Sequence, residues 1–88
     1  MELLAALKVD LGITTDAYDN RLLMIIASAE KLIEREGVTL NKSALEDQQI
    51  VIMYAAWLWR RRDTQEGMPR MLRWALNNRV FGPKMAEV

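Results

Sequence analysis

The sequence predicts an all-α fold: a small bundle of two long and two short helices, followed by an extended C-terminal tail. Three observations predict it. Gly12, Gly37, Gly67 and Gly82 each fall where a periodic apolar pattern ends. Leu22, Ile26, Ala29 and Ile33 recur at i, i+4, i+7 and i+11, the signature of an amphipathic helix. Helix-start signals, a serine cap and a proline, then stand ahead of two further segments.

The first helix, residues 2–11, places Leu3, Leu4, Leu7 and Leu11 on helical spacing. At about ten residues it is too short to be stable alone and must pack on something. The second, residues 16–36, opens with Thr15 or Asp16 able to accept from the free N–H groups of the first turn. Asp16 and Asp19 complement the positive end of its dipole. Ile25 and Leu32 widen its apolar stripe, while Arg21, Ser28, Lys31 and Arg35 mark the wetted face. Gly37 suits the position after its C-cap.

After "VTLNK", Ser43 and Glu46 form a capping box that starts the third helix, residues 43–65. Pro69 suits the first position of a fourth, short helix over residues 69–77. The segment "NRVFGPKMAEV" lacks a helical pattern and Pro83 resists one, so residues 78–88 read as an extended tail. The chain has no repeat and no low-complexity tract, and residues 1–88 form one domain.

An 88-residue chain buries only about 60–65% of the surface its unfolded form exposes. With no cysteine and no histidine, neither a disulfide nor the usual zinc ligand set can add stability. Oligomerisation is the common remedy that remains. Twelve basic and twelve acidic residues cancel, so no global field attracts nucleic acid. All seven basic groups of the second half fall between Arg60 and Lys84 with only Asp63 and Glu66 among them, giving that segment +5. A local basic patch on a neutral chain suggests one committed contact surface. The N-terminus lacks the basic region of a signal peptide, which predicts a cytosolic protein in the cell that makes it.

The stretch "MYAAWLWRRRD" (53–63) poses the functional question. Its apolar run, Ile50–Trp59, is ten residues long and spans about 15 Å of helix. A bilayer needs about 20 residues, so this is no membrane span. Apolar on all sides, the run reads either as a central core helix or as one shared between its own domain and a neighbouring subunit. Trp57 and Trp59 point about 200° apart, which argues against both lying in one small core. Arg60, Arg61 and Arg62 spread over about 200° of the helix surface. They suit a solvated helix end, with Arg61 placed to lie over Trp57.

Only the fourth helix has the polar opening of a DNA reader, with Arg70, Arg73 and Asn77 on one face. This supports an alternative reading, a small dimeric helical DNA-binding regulator. Nucleophile–base pairs and glycine-rich phosphate cradles are absent, so the sequence predicts no enzyme, no cofactor, no metal and no small-molecule substrate.

The order of these features resembles a known family. A short helix and "LGI" lead to "TTDAYDNRLLMIIASAEKLIE", then to "MYAAWLWRRRD" and finally to "MPRMLRWALNNRVF". From about Leu3 to Phe81 this resembles the small head–tail connector (head-completion, or DNA-packaging adaptor) proteins of tailed bacteriophages and prophages. The resemblance implies a non-enzymatic subunit of a homo-oligomeric ring, a dodecamer among the options, at the head–tail junction of the virion. Its implied partners are the portal protein, tail-side connector proteins and, non-specifically, the DNA in the channel. It also implies that Trp57 and Trp59 pack on neighbours, with the arginines 60–62 beside them. The segment Met68–Arg79 then reaches adjoining proteins, through Met68, Pro69, Arg70, Leu72, Arg73, Trp74, Asn77, Asn78 and Arg79. On this reading Trp59→Glu should block assembly and leave the fold intact.

Overall fold

The computed structural model describes residues 3–41, 43–61 and 67–86, with side chains as far as residue 80. Among these residues the fold is all-helical: α1 (Leu3–Leu11), α2 (Asp19–Arg35), α3 (Leu45–Arg61) and α4 (Arg70–Ala86). No helix among them is long and apolar enough to cross a membrane.

α1 ends at Gly12, whose φ of 72° is open to glycine at no steric cost. The Ile13 N–H donates to the Lys8 carbonyl and the Gly12 N–H to that of Val9. These are the two bonds of a Schellman stop. Lys8 then ties the following turn down, with Nζ 3.1 Å from Asp16 Oδ1 and 2.9 Å from Asp19 Oδ1. Asp19 first and Asp16 second hold its ammonium pKa above the ordinary value. Because Thr15 Oγ1 accepts from the Ala17 N–H inside that turn, α2 begins at Asp19 rather than at residue 16. Its buried stripe is Leu22, Ile26, Ala29 and Ile33, as the period requires. It stops at Gly37, with φ 100°.

The start of α3 departs from the expected capping box. Ala44, not Ser43, accepts the first helical bond, from the Gln48 N–H. The turn before it is built by Asn41, whose Oδ1 accepts from the Ser43 N–H and whose own N–H donates to Asp47 Oδ2. Asp47, the third residue of the helix, satisfies the loop backbone while Glu46 stays exposed. Residues 62–65 of the expected third helix lie outside the described residues.

α3 is the central element. Ile50, Val51, Ile52, Tyr54, Ala55, Ala56 and Trp57 are all buried, against α1 and α2 on one side and α4 on the other. The Cα trace measures 48 × 30 × 18 Å, so its shortest dimension holds about two helix diameters. A central helix in two layers cannot be covered all round, and one face of α3 stays open.

The largest departure concerns α4. It is a 17-residue helix reaching Ala86, not a short helix over 69–77 with an extended tail. Three of the four helices are therefore 17 residues long. The reason lies in tertiary contacts that continue its buried stripe. Leu72 and Leu76 are in the core, Arg79 is anchored to Asp47, and Val80 packs over Gly37, about 3.8 Å from where a side chain would start. Pro83 removes one backbone donor, and helical geometry continues three residues past it. Residues 87 and 88 of the expected tail lie outside the described residues.

Candidate functional site

The sequence-predicted contact residues divide into three groups. One group is structural. Trp57 is buried, edge-on to Tyr54 with centroids 5.5 Å apart, and Arg61 lies 4.9 Å over its ring, as its spacing predicts. Trp59 is half-buried and meets Tyr18, from the turn between α1 and α2, edge-on at 5.6 Å. The two indoles point to different sides, Trp57 buried beside Tyr54 and Arg61 and Trp59 half-buried against Tyr18. Leu72 is core, and Met68 is half-buried against it.

Arg79 belongs to the same group. Its Nε donates to Asp47 Oδ1 at 2.5 Å and its Nη2 to Asp47 Oδ2 at 2.9 Å, a bidentate pair. Nη2 also donates to the Thr39 carbonyl at 2.9 Å. Asp47 is 2% exposed while the Arg79 side chain is 27% exposed, so a buried carboxylate has its lone pairs met by a half-buried guanidinium and by the Asn41 N–H. The Arg79 guanidinium, with help from that N–H, holds the Asp47 carboxyl below its usual range, against the opposing effect of burial. The guanidinium pKa is raised in turn, Asp47 again being the main cause.

A pH dependence follows from the sign of that shift. A carboxylate whose folded pKa is depressed contributes stability above the unfolded value, about 3.9, and loses it as the pH falls through the folded value. Unfolding midpoints should therefore drop as the pH goes below about 4, and Asp47→Asn should flatten that drop. Parallel acid profiles for the two proteins would contradict the pairing.

The second group is peripheral. Arg73 Nη1 lies 2.8 Å from Glu36 Oε2 at the C-terminal end of α2, and Arg60, Pro69, Arg70 and Asn77 are exposed. Arg62 lies outside the described residues.

The third group forms a surface. The open face of α3 runs along Glu46, Gln49, Met53 and Arg60, spaced i, i+3, i+7 and i+14, so they share one side of the helix. Two adjoining hollows follow it. One, of about 420 Å³, lies between Glu46, Gln49, Ile50 and Met53 of α3 and Trp74, Ala75, Asn78 and Arg79 of α4. The other, of about 180 Å³, is lined by Met53, Ala56, Trp57, Arg60, Pro69, Met71, Leu72 and, from α1, Asp10. Met53 lines both, which makes them one groove with α3 as its floor.

Trp74 and Met71 stand on the α4 rim, 64% and 69% exposed. Single exposed apolar residues are ordinary, but a tryptophan and a methionine side by side over an apolar groove are a docking feature. Of the groove lining, the sequence-predicted contact residues include Trp57, Arg60, Pro69, Leu72, Trp74, Asn78 and Arg79, while Met53, Met71, Asp10 and Glu46 were missed. The i, i+3 spacing of Met71 and Trp74 was visible, but which side of α4 faces the core depends on Leu72 and Leu76. No family model matches the chain, and neither a curated protein nor a solved structure does.

Proposed function

We propose that the chain is a non-enzymatic subunit of a phage or prophage head–tail connector. It forms a ring at the portal vertex that extends the DNA channel and docks the tail or the next connector. The observation that carries this reading is the groove of Met53, Met71 and Trp74. Its Met71 and Trp74 fall in Met68–Arg79, the segment that the family resemblance assigns to neighbouring proteins. Apolar surface of this kind on a small helical domain supports a protein that works by being packed against others.

The alternative, a DNA-binding regulator using Arg70, Arg73 and Asn77, has less support. Arg73 is engaged by Glu36, and an arginine held by a carboxylate is a poorer phosphate or base partner. The deciding experiment mixes the chain with the portal protein encoded in the same genome and images the complex. A ring seated on the portal is expected, and Trp74→Glu should abolish it. No ring, together with sub-micromolar duplex affinity and a steep salt slope, would overturn the connector reading in favour of the regulator.

A further inference from the structure

The groove carries a projection beside it. Trp74 and Met71 stand exposed on its α4 rim, and Trp74 borders the larger hollow, whose apolar lining is Ile50, Met53 and Ala75. A projecting aromatic and an adjoining apolar hollow on one face suit a two-fold contact, because each copy supplies both halves.

The charges on the open face of α3 decide how two such faces meet. Glu46 and Arg60 lie seven residues to either side of Met53, about 10 Å of helix each way, and all three share one side. Two copies with antiparallel α3 helices and Met53 opposite Met53 bring Glu46 against Arg60 twice. Parallel helices would instead set Glu46 against Glu46 and Arg60 against Arg60. The other charged residues of the groove lie off this line. Asp10 comes from α1 and Arg79 from α4, which pack on different sides of α3. A two-fold axis across α3, in the plane of the contact, lays α1 towards α1 and α4 towards α4. Asp10 and Arg79 then do not meet, and Arg79 is already held by Asp47. An arginine has five N–H donors, so a bond of Arg60 within its own chain leaves others for Glu46 of the second copy.

The same axis places the apolar side chains. Met53 shares one hollow with Trp74 and the other with Met71. An axis at Met53 therefore passes between these two, and Trp74 of one copy comes over Met71 of the other.

We propose that the occupant of the α3–α4 groove is the same face of a second copy, in an antiparallel two-fold dimer centred on Met53. Trp74, Met71 and Met53 supply the affinity, and the ion pairs at the two ends set the alignment. The inference rests on neither functional reading. It concerns the free chain, and a neighbour in a ring would take the groove over from the second copy.

The test reverses charges. Sedimentation of the wild type up to about 1 mM should show a monomer–dimer equilibrium and nothing larger. Glu46→Arg sets arginine against arginine at both ends and should weaken the dimer at least about tenfold. Arg60→Glu should do the same with carboxylates. An equimolar mixture of E46R and R60E restores opposite charges at both ends and should dimerise as tightly as the wild type. Trp74→Ala, at an exposed site, should keep wild-type helicity and lose the dimer.

Four outcomes would overturn the proposal: a wild type monomeric over the whole range, growth beyond a dimer, an E46R variant that dimerises normally, or a W74A variant that does. The third is the result that parallel helices would give. Failure of the connector reading appears separately, as a chain that dimerises but never assembles on the portal.

Discussion

Replacing Arg79 with methionine is expected to cost about 2–3 kcal/mol, because it leaves the buried Asp47 carboxylate without its main partner, even though the arginine side chain itself is 27% exposed. Asp47 would keep the Asn41 N–H but lose both guanidinium donors, and the Thr39 carbonyl would lose its partner from α4. The total stability of a domain this size is about 4–13 kcal/mol, so the loss takes a large share of it. The contrast is Arg73→Met. Its pair with Glu36 has side chains 45% and 33% exposed, and such pairs contribute about 0–1 kcal/mol. Urea unfolding of both variants, with the double change Asp47→Leu and Arg79→Met, checks the argument. The double variant should recover much of the loss, since the penalty lies in the orphaned charge. Equal, small effects at residues 73 and 79 would show that the Asp47 corner is not closed to water.

That pair also explains why part of the fold was legible in the sequence and part was not. The stripe of α2 repeats within one helix, so it could be read directly, as could Gly37 and the placing of Arg61 one turn after Trp57. The length of α4 could not. What extends it past Asn77 is a contact between Arg79 and a residue 32 positions away, reinforced by Val80 over Gly37. A local reading meets only "NRVFGPK", in which Pro83 argues for a stop. The capping box failed for a related reason. Ser43 and Glu46 have the right spacing, but Asn41 builds the turn and Asp47 is drawn to the loop backbone and to Arg79. Of the candidate site, the lining residues from Pro69 to Arg79 other than Met71 and Ala75, with Trp57 and Arg60 of α3, were visible as types on the right segments. The groove itself needs three helices, and Asp10 comes from the far end of the chain.

Trp57→Ala is expected to destabilise the chain by about 3–5 kcal/mol, the range for truncating a buried tryptophan. The indole is 9% exposed, lies against Tyr54 and carries Arg61 over its face. Alanine would leave a cavity and an arginine with nothing to lie on. Trp59→Glu should likewise disturb the corner held by Tyr18 rather than act only on assembly. Trp74→Ala is the control that separates the roles. At 64% exposure its cost to folding should stay within about 0.5 kcal/mol, while association falls. Chemical unfolding and sedimentation of both variants give four numbers, and the expected pattern is crossed: Trp57 sets the midpoint and Trp74 sets the mass. A Trp57→Ala variant with the wild-type midpoint would return that indole to the surface and, with it, the interface to the face of α3 that α4 covers.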